Sequence, residues 1–398
     1  MTHRRSSHRV PAAVALSVLL GAAPSLAQQR TAVDTPPIAP RCTLRARPLQ
    51  PLPAQSPPDA RFSPALVRTS DGWLVAWRAV DNALWLSRLD TEFTRRTDDR
   101  ELARPAGAFA MAPAPSGAVV AMIEEVPRQG MQALLLARVN AQGEARNVPR
   151  EIVRAGRIES VDAAWTGNGY VVAWSLGAAS GGGSYVITTD VRGVPRTPAR
   201  RVADATGVRI AHLEGADATA VIAGGPGGAA TAAVLDAAGS IARVGEWPAR
   251  ARAIAGSPGG EFGWSIAMPA ETDGTGTISV LRWPTTDGVG TTIADFRPAP
   301  SGTLVSLAGD RAGMVAAFDD ASGRETIVRV SMDGSSTILA SRPGSRGSLV
   351  PTDDGNVVLV GHEPPPAGVG RLAIVELLCP RVAPAATTPT TPTTPVPP

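Results

Sequence analysis

The residues with the greatest capacity for chemistry in this chain are carboxylates that follow apolar, strand-like runs. The pairs Glu124–Glu125 and Asp319–Asp320 each end such a run, and the pair His362–Glu363 follows another. Paired acids are what hydrolases of sugars use, one as the proton donor and the other as nucleophile or base. Carboxylates from several strands that meet at one opening could also hold a cation or a sugar.

A simpler explanation is that strands end in polar residues because they meet water there, and the residue pattern favours it. Arg78 and Asp81 occupy the same place after the first of these strands, and their types do not form an acid pair. We therefore treat the whole set as a candidate ligand-binding site and assign no catalytic residue. The set is Arg78, Asp81, Glu124, Glu125, Asp319, Asp320, His362 and Glu363.

The residues that nucleophilic, metal-dependent or phosphate-binding sites need are missing from the sequence pattern. A nucleophilic triad needs a histidine, and beyond the N-terminal leader only His212 and His362 are present, on different predicted units. The chain has no His-Glu-x-x-His, Gly-x-Ser-x-Gly or phosphate-loop motif. Its two cysteines are expected in a disulfide, which leaves a poor ligand set for zinc. The sequence predicts no metal and no cofactor.

The elements that must position these residues belong to a repeated unit, clearest between Trp165 and Gly193. A turn that carries glycine precedes a five-residue apolar run, Tyr170–Trp174, and a second run, Tyr185–Asp190, follows a Gly/Ser loop. Short aromatic and β-branched runs between such turns are typical of antiparallel strands. The equivalent first runs are 73–77, 118–122, 170–174, 218–222, 262–266, 314–318 and 356–360.

The spacing between the turns that follow the second runs gives the length of the repeat. It begins at Asp90, Asn140, Asp190 and Asp236, which are 50, 50 and 46 residues apart. In the first unit, Arg95–Leu102 then reads as a polar outer strand. Four strands per unit at a period of 40 to 50 residues are the signature of a β-propeller, in which the loops after second strands lie on the face that usually binds ligands.

Seven units predict an all-β fold, a seven-bladed β-propeller of four-stranded antiparallel blades. The last unit lacks its outer strand, and the isolated segment Thr43–Arg47 can supply it, because an open array would leave two unpaired edges. Cys42 begins this segment and Cys379 ends the neighbouring strand, so we predict a disulfide between them. Trp77, Trp174 and Phe318 repeat one position, which favours packing between blades over sugar stacking.

The chain begins with a predicted signal peptide, residues 1–27. A basic start precedes an apolar run from Val10 to Leu26, and the small residues Ser25 and Ala27 favour cleavage between Ala27 and Gln28. Residues 28–41 form a Pro-rich segment, 42–381 the propeller and 382–398 a Thr/Pro-rich disordered tail. We therefore expect a secreted, periplasmic or outer-surface location in a bacterium, without a transmembrane segment.

The charge balance argues against a nucleic-acid partner. The formal net charge is +3, but Arg4, Arg5 and Arg9 lie in the leader, and the remaining 35 basic residues face 35 acidic ones. No cluster of basic residues remains to follow a phosphate backbone. We expect a monomer whose partner is a protein or a glycan.

With its Gly-x-x-Val-Ala-Trp and Arg-Leu-Asp elements, the chain from Cys42 to about Arg381 resembles secreted bacterial β-propellers of unassigned function. The Trp-Asp dipeptide, the sialidase-type Asp box and the integrin-like calcium repeat are missing, so the resemblance implies a fold and no site residues. Two functions stay open: a non-catalytic binding or scaffold module that uses one face of the disc, and a carbohydrate-active hydrolase or lyase that uses carboxylates at the channel mouth.

Overall fold

The fold consists of four-stranded antiparallel sheets. A computed structural model describes residues 42–49, 56–105, 107–224, 230–247, 251–256, 262–267, 278–284, 291–296, 303–310, 313–319, 323–331, 335–363 and 370–379. Within these residues the strands form seven such sheets, six of them in chain order. The predicted leader, Pro-rich segment and Thr/Pro-rich tail lie outside the described residues.

The described strands are four to ten residues long, and two short 3-10 helices, Ala178–Ser180 and Glu214–Ala216, interrupt the loops. In chain order the strands are β1 (Thr43–Leu49), β2 (Ala65–Thr69), β3 (Gly72–Arg78), β4 (Leu84–Leu89), β5 (Arg100–Ala103), β6 (Phe109–Ala114), β7 (Gly117–Val126), β8 (Met131–Asn140), β9 (Arg150–Ala155), β10 (Ile158–Trp165), β11 (Gly169–Leu176), β12 (Ser184–Asp190), β13 (Arg200–Ala203), β14 (Val208–Leu213), β15 (Ala218–Ala223), β16 (Ala230–Leu235), β17 (Ile241–Trp247), β18 (Ala251–Gly256), β19 (Phe262–Ala267), β20 (Ile278–Pro284), β21 (Thr291–Phe296), β22 (Thr303–Asp310), β23 (Gly313–Asp319), β24 (Arg324–Ser331), β25 (Ser336–Pro343), β26 (Ser345–Pro351), β27 (Val357–Glu363) and β28 (Arg371–Leu378).

The sheets are the blades of a seven-bladed β-propeller, as the sequence predicts. Blades 1 to 6 are β2–β5, β6–β9, β10–β13, β14–β17, β18–β21 and β22–β25, and blade 7 has the order β26-β27-β28-β1. The first strands of neighbouring blades lie side by side, and β26 of blade 7 lies against β2 of blade 1. The ring is therefore closed.

The N-terminal strand completes the last blade. β1 pairs antiparallel with β28 along its whole length, from Thr43 opposite Leu378 to Leu49 opposite Leu372. At the end of this ladder Cys42 and Cys379 form a disulfide with their Cα atoms 4.2 Å apart. The predicted closing strand and the predicted disulfide are both confirmed.

The second strands of blades 1 to 4, 6 and 7 are buried on both faces. In β3, Trp73, Val75 and Trp77 pack toward blade 7, whereas Leu74 and Ala76 pack toward blade 2. The same alternation places residues of β7, β11, β15 and β27 in clusters with the blades on either side. Each such side chain contributes about 1.5–3 kcal/mol when fully buried, so both faces of a blade need a neighbour.

The large aromatic residues that repeat along the chain are core residues. Trp77, Trp174 and Phe318 are each 1% exposed. Trp77 packs against Val358 and Val360 of blade 7, and Trp174 packs in the cluster shared by blades 2 and 3. The prediction of packing between blades is confirmed for Trp77 and Trp174, Phe318 is buried, and none of these rings is free to stack on a sugar.

The turn that measures the repeat is held by its first side chain. Oδ1 of Asp90 and of Asp190 accepts hydrogen bonds from the backbone N–H groups two and four residues later, at 2.8–2.9 Å. Asn140 and Asp236 accept the bond from the fourth residue in the same way. Because an N–H donor favours the charged carboxylate, the bond from Thr94 helps hold the pKa of Asp90 below its ordinary value.

One predicted strand is shorter than expected. The outer strand of blade 1 spans Arg100–Ala103 rather than Arg95–Leu102. The preceding residues extend the turn instead, since Arg95 forms an isolated bridge with Leu89 and the N–H of Arg96 donates to the carbonyl of Arg88. Polarity alone does not distinguish an outer strand from a long hairpin turn.

The disulfide closes a loop of 337 residues, which gives a testable stability effect. We expect the double variant Cys42→Ser/Cys379→Ser to lose about 2–5 kcal/mol of unfolding free energy, because a cross-link restricts the unfolded chain. Guanidinium denaturation measures the loss. The wild-type chain in reductant is the control and should unfold like the variant; a midpoint unchanged by either treatment would show that the ladder between β1 and β28 closes the ring alone.

Candidate functional site

The candidate residues that the structure describes lie at one edge of the blades, where second strands turn into third strands. β3 ends at Arg78, β7 at Val126, β23 at Asp319 and β27 at Glu363. Because the strands alternate in direction, the segments that enter the first strands reach the same edge. We call this edge the hairpin face.

Arg78 is used by the fold. The residue is 6% exposed, and its Nη1 donates a hydrogen bond of 2.8 Å to the carbonyl of Gly107, in the segment that enters blade 2. Its Nη2 donates to Asn82, and its guanidinium lies 4.1 Å from the ring centroid of Phe62. Burial lowers the pKa of Arg78 from its ordinary value. Arg78 therefore joins blades 1 and 2 instead of facing solvent.

His362 joins the two ends of the ring. It is 3% exposed, and its Nε2 donates a hydrogen bond of 2.9 Å to the carbonyl of Phe62, 300 residues earlier. The carbonyl can only accept, so the proton is on Nε2. His362 thus ties blade 7 to the segment that enters blade 1, and Phe62 is held by Arg78 on its ring and by His362 on its backbone.

The same kind of tie recurs at other junctions. Oε1 of Gln132 accepts from the N–H of Ile158 at 2.7 Å, between blades 2 and 3. Ser184 Oγ donates to the carbonyl of Ala205 at 2.6 Å, between blades 3 and 4. A backbone group buried between two blades needs such a partner. At these junctions, polar side chains at the hairpin face therefore serve first to fasten one blade to the next.

The tie between blades 6 and 7 is a hydrogen bond to a carboxylate of blade 6, which is itself paired with an arginine of the same blade. Glu325 is fully buried, and its Oε1 accepts from the N–H of Gly347 at 3.0 Å. Its Oε2 lies 2.7 Å from Nη2 and 2.9 Å from Nε of Arg342, which is also buried. The pair compensates both charges inside the protein, and breaking it would leave one of them uncompensated.

Three further candidate residues remain on separate blades. Asp81 accepts a hydrogen bond from the N–H of Ala83 at 3.1 Å, within its own loop. Asp319 is half-buried opposite Glu325, and Glu363 ends β27 opposite Arg371. Asp320 lies outside the described residues.

Glu124 and Glu125 are adjacent and point to opposite faces of blade 2, because side chains alternate along a strand. Met122, two residues before Glu124, packs toward blade 1, and Ile123, two residues before Glu125, packs toward blade 3. Glu124 is half-buried, and this burial raises the pKa of its carboxyl. The two glutamates do not form an acid pair at one site.

Glu125 lines a pocket of about 690 Å³ at the hairpin face. The walls come from the β7–β8 hairpin, from the segment that enters blade 3, and from Phe62, Gly107 and Ala108 near the ring centre. Arg128 at the hairpin tip and Arg157 and Glu159 beside β10 add three more charged groups. Apolar side chains separate these charges: Val126, Pro127, Met131 and Ile158.

The charged groups of the pocket are only partly neutralised from within. Arg157 is 73% exposed, and its Nε lies 3.9 Å from Oε1 of Glu159, which is a loose ion pair. Glu125 and Arg128 are exposed, and neither makes an ion pair or side-chain hydrogen bond with any described residue. The pocket therefore offers one carboxylate and one guanidinium to a ligand.

Sequence reasoning missed Phe62, Arg157 and Glu159. The candidate set was drawn from loops after second strands, whereas these residues precede first strands or lie at their start. The signal was present, because alternating strand direction brings both kinds of loop to one face. Polar residues beside the start of β10 belonged in the set for the same reason as Glu125.

Two other features of the described residues bear on function. No group of three or more histidine, cysteine, aspartate or glutamate side chains is placed to hold a metal ion there. No helix among those residues has the length and apolar character needed to cross a membrane.

Comparisons with known proteins show likeness of fold alone. No family model and no characterised protein matches the chain. The β-propeller domain of the trilobed protease from Pyrococcus furiosus is 9% identical, with a TM-score of 0.46 over 80% of this chain and 96% of that chain. Hsv2 of Kluyveromyces lactis is 12% identical, with a TM-score of 0.40 over 78% and 98%. KlAtg21, solved with the coiled-coil of AgAtg16, is 12% identical, with a TM-score of 0.49 over 80% and 100%.

The buried pair of Glu325 and Arg342 predicts that removing one charge lowers the free energy of unfolding strongly. We expect Glu325→Gln to lower the unfolding free energy by about 3–5 kcal/mol, because glutamine leaves the buried Arg342 without its counter-charge. Chemical denaturation measures the change. Asp353→Asn, which removes the charge from the exposed pair with Arg68, is the matched control and should cost about 0–1 kcal/mol. Equal effects would contradict the structural role of the pair.

The raised pKa of Glu124 predicts that removing its charge stabilises the protein to an extent that depends on pH. Burial in the folded state disfavours the charged form of this carboxyl. Its protonated form therefore favours folding below the unfolded pKa, and that contribution is lost as the pH rises through the folded pKa. Glu124→Gln should therefore stabilise the protein at pH 7 and have no effect at acidic pH. Urea midpoints across this range measure it. A stability difference for Glu124→Gln that is independent of pH would contradict the assignment.

Proposed function

We propose that this protein is an exported, non-catalytic binding or scaffold propeller that engages a protein or a glycan through its hairpin face. The pocket beside the β7–β8 hairpin is the proposed binding site. The observation that carries the proposal is an exposed pocket of about 690 Å³ with charges of both signs, of which Glu125 and Arg128 have no partner among the described residues. A pocket of this size suits a ligand of a few residues or sugar rings.

The distribution of acids favours binding over hydrolysis. Hydrolysis of a sugar needs two carboxyl groups about 5–9.5 Å apart on either side of the scissile bond. Of the acids that the sequence singled out, Glu125 lines the pocket, Glu124 points to the other face of its blade, and Asp319 and Glu363 belong to blades 6 and 7. Glu159 is the other carboxyl of the pocket, and it lies beside Arg157.

Export is part of the proposal and has two supports. The N-terminal residues have the pattern of a cleavable leader. The chain also contains a disulfide, a bond that persists in oxidising compartments outside the cytoplasm. We propose a periplasmic, secreted or outer-surface location in a bacterium, with the protein acting as a monomer and without nucleic acid.

Binding can be tested by probing glycan and peptide arrays with the chain that begins at Gln28. We expect binding to at least one class of array ligand. Glu125→Arg should weaken that binding roughly tenfold, because the reversed charge places like charges opposite each other. Glu92→Arg, in an exposed turn between third and fourth strands, is the matched control and should bind like the wild type. Binding to neither array would overturn the proposal. Release of sugar from an array glycan, abolished by Glu159→Gln, would favour the hydrolase instead.

Export gives a second, independent measurement. The protein recovered outside the cytoplasm should have an intact mass that corresponds to an N-terminus at Gln28. Ala27→Arg should retain the leader, because signal peptidase needs a small residue before the cut. Ala32→Arg, beyond the cleavage point, is the control and should be processed like the wild type. Recovery of the full-length chain in the cytoplasmic fraction would contradict export.

A further inference from the structure

The last four residues of β7 have a neighbouring strand on one side only. The ladder between β6 and β7 ends where Phe109 lies opposite Met122. The ladder between β7 and β8 continues to Val126 opposite Met131. Among the described residues, the inner edge of Ile123–Val126 therefore has no strand beside it. A strand edge of this kind carries unpaired N–H and C=O groups that can accept another strand.

This edge belongs to the longest pair of described strands. β7 and β8 are each ten residues long, whereas the other second strands of the described blades have six to eight residues. At about 3.3 Å per residue, β7 exceeds them by roughly 7–13 Å. The extra length begins where β6 stops, whereas the outer strand β9 accompanies β8 as far as Gln132, opposite Glu125, so it is the inner edge that lacks a described strand.

The pocket lies against this edge. Glu125 and Val126 belong both to the edge and to the pocket lining, and Gly107 and Ala108, which precede β6, line the pocket without continuing the ladder. A strand placed along the edge would direct alternate side chains into the pocket, which is how added strands combine backbone affinity with side-chain selection.

The lining favours a peptide over a sugar. Sugars are commonly held by stacking on an open aromatic ring, and the aromatic residue in the described lining is Phe62. The guanidinium of Arg78 lies over that ring at 4.1 Å from its centroid. The remaining apolar wall consists of aliphatic side chains and methionine, which suit varied side chains of a peptide.

We propose that an extended peptide segment of a partner protein adds a strand to the inner edge of Ile123–Val126. A basic side chain of the segment meets the carboxylate of Glu125, and an acidic side chain meets the guanidinium of Arg128. This inference rests on the proposed function and narrows its ligand from a protein or glycan to an extended peptide that carries both charges.

The probe is an immobilised set of hexapeptides with alternating β-branched residues, each with one Lys and one Glu in either order, presented beside a glycan array. The peptide that binds best is titrated against the wild type and against the double variant Glu125→Arg/Arg128→Glu. We expect the double variant to bind that peptide roughly tenfold more weakly and to prefer the opposite order of charges. Glu92→Arg, in the turn between β4 and β5, is the matched control and should keep the wild-type preference.

Hydrogen exchange locates the contact. With the peptide bound, those amides of Ile123–Val126 that point to the inner edge should exchange more slowly, because a paired strand protects backbone N–H groups, whereas the amides that point to β8 are already paired. Protection confined to other segments would overturn the inference while the proposed function stands. Glycan binding without peptide binding would also overturn the inference while the proposed function stands. A dimer of the chain that forms through this edge would have the same consequence. Silence of both probes would overturn the inference and the proposed function together.

Discussion

The structure depends on one constraint: the second strands of blades 1 to 4, 6 and 7 are buried on both faces, so each of these blades must lie between two others. Trp77 and Leu74 illustrate it, because they leave the same strand in opposite directions and are both buried. A row of such sheets would expose two apolar faces to water, at about 25 cal/mol for each Å² of apolar surface. Closing the row into a ring removes both faces, and the remaining features follow from that closure.

Closure is made by elements that are far apart in the chain. β1 completes blade 7, the disulfide holds the end of their ladder, and His362 ties blade 7 to Phe62 before blade 1. The same kind of polar tie fastens other neighbours, through Arg78, Gln132, Ser184 and Glu325. Polar residues at the hairpin face are thus first a structural requirement, because blades in contact bury backbone groups that need partners.

That requirement changes how the candidate site is understood. Arg78 and His362, at the ends of second strands, bind the segments that enter neighbouring blades, so their chemistry is not offered to a ligand. Blade 2 departs from the pattern: β7 and β8 are longer than the other described second and third strands, and Glu125 and Arg128 on this hairpin take part in none of the ties. A ligand-binding role is physically favoured where charged side chains are exposed and do not fasten one blade to another.

The amino-acid sequence alone determined the fold class, the number of blades, the closing strand and the cysteine pairing. These features depend on hydrophobic period, turn residues and spacing, all of which are local and repeated. It also indicated that Trp77, Trp174 and Phe318 pack between blades. Only the tertiary structure decided which polar residues are free. Arg78 and Glu125 both follow a second strand's apolar run, yet one is buried against Gly107 and the other opens into a pocket. That difference depends on contacts between residues distant in the chain, and no local pattern contains them.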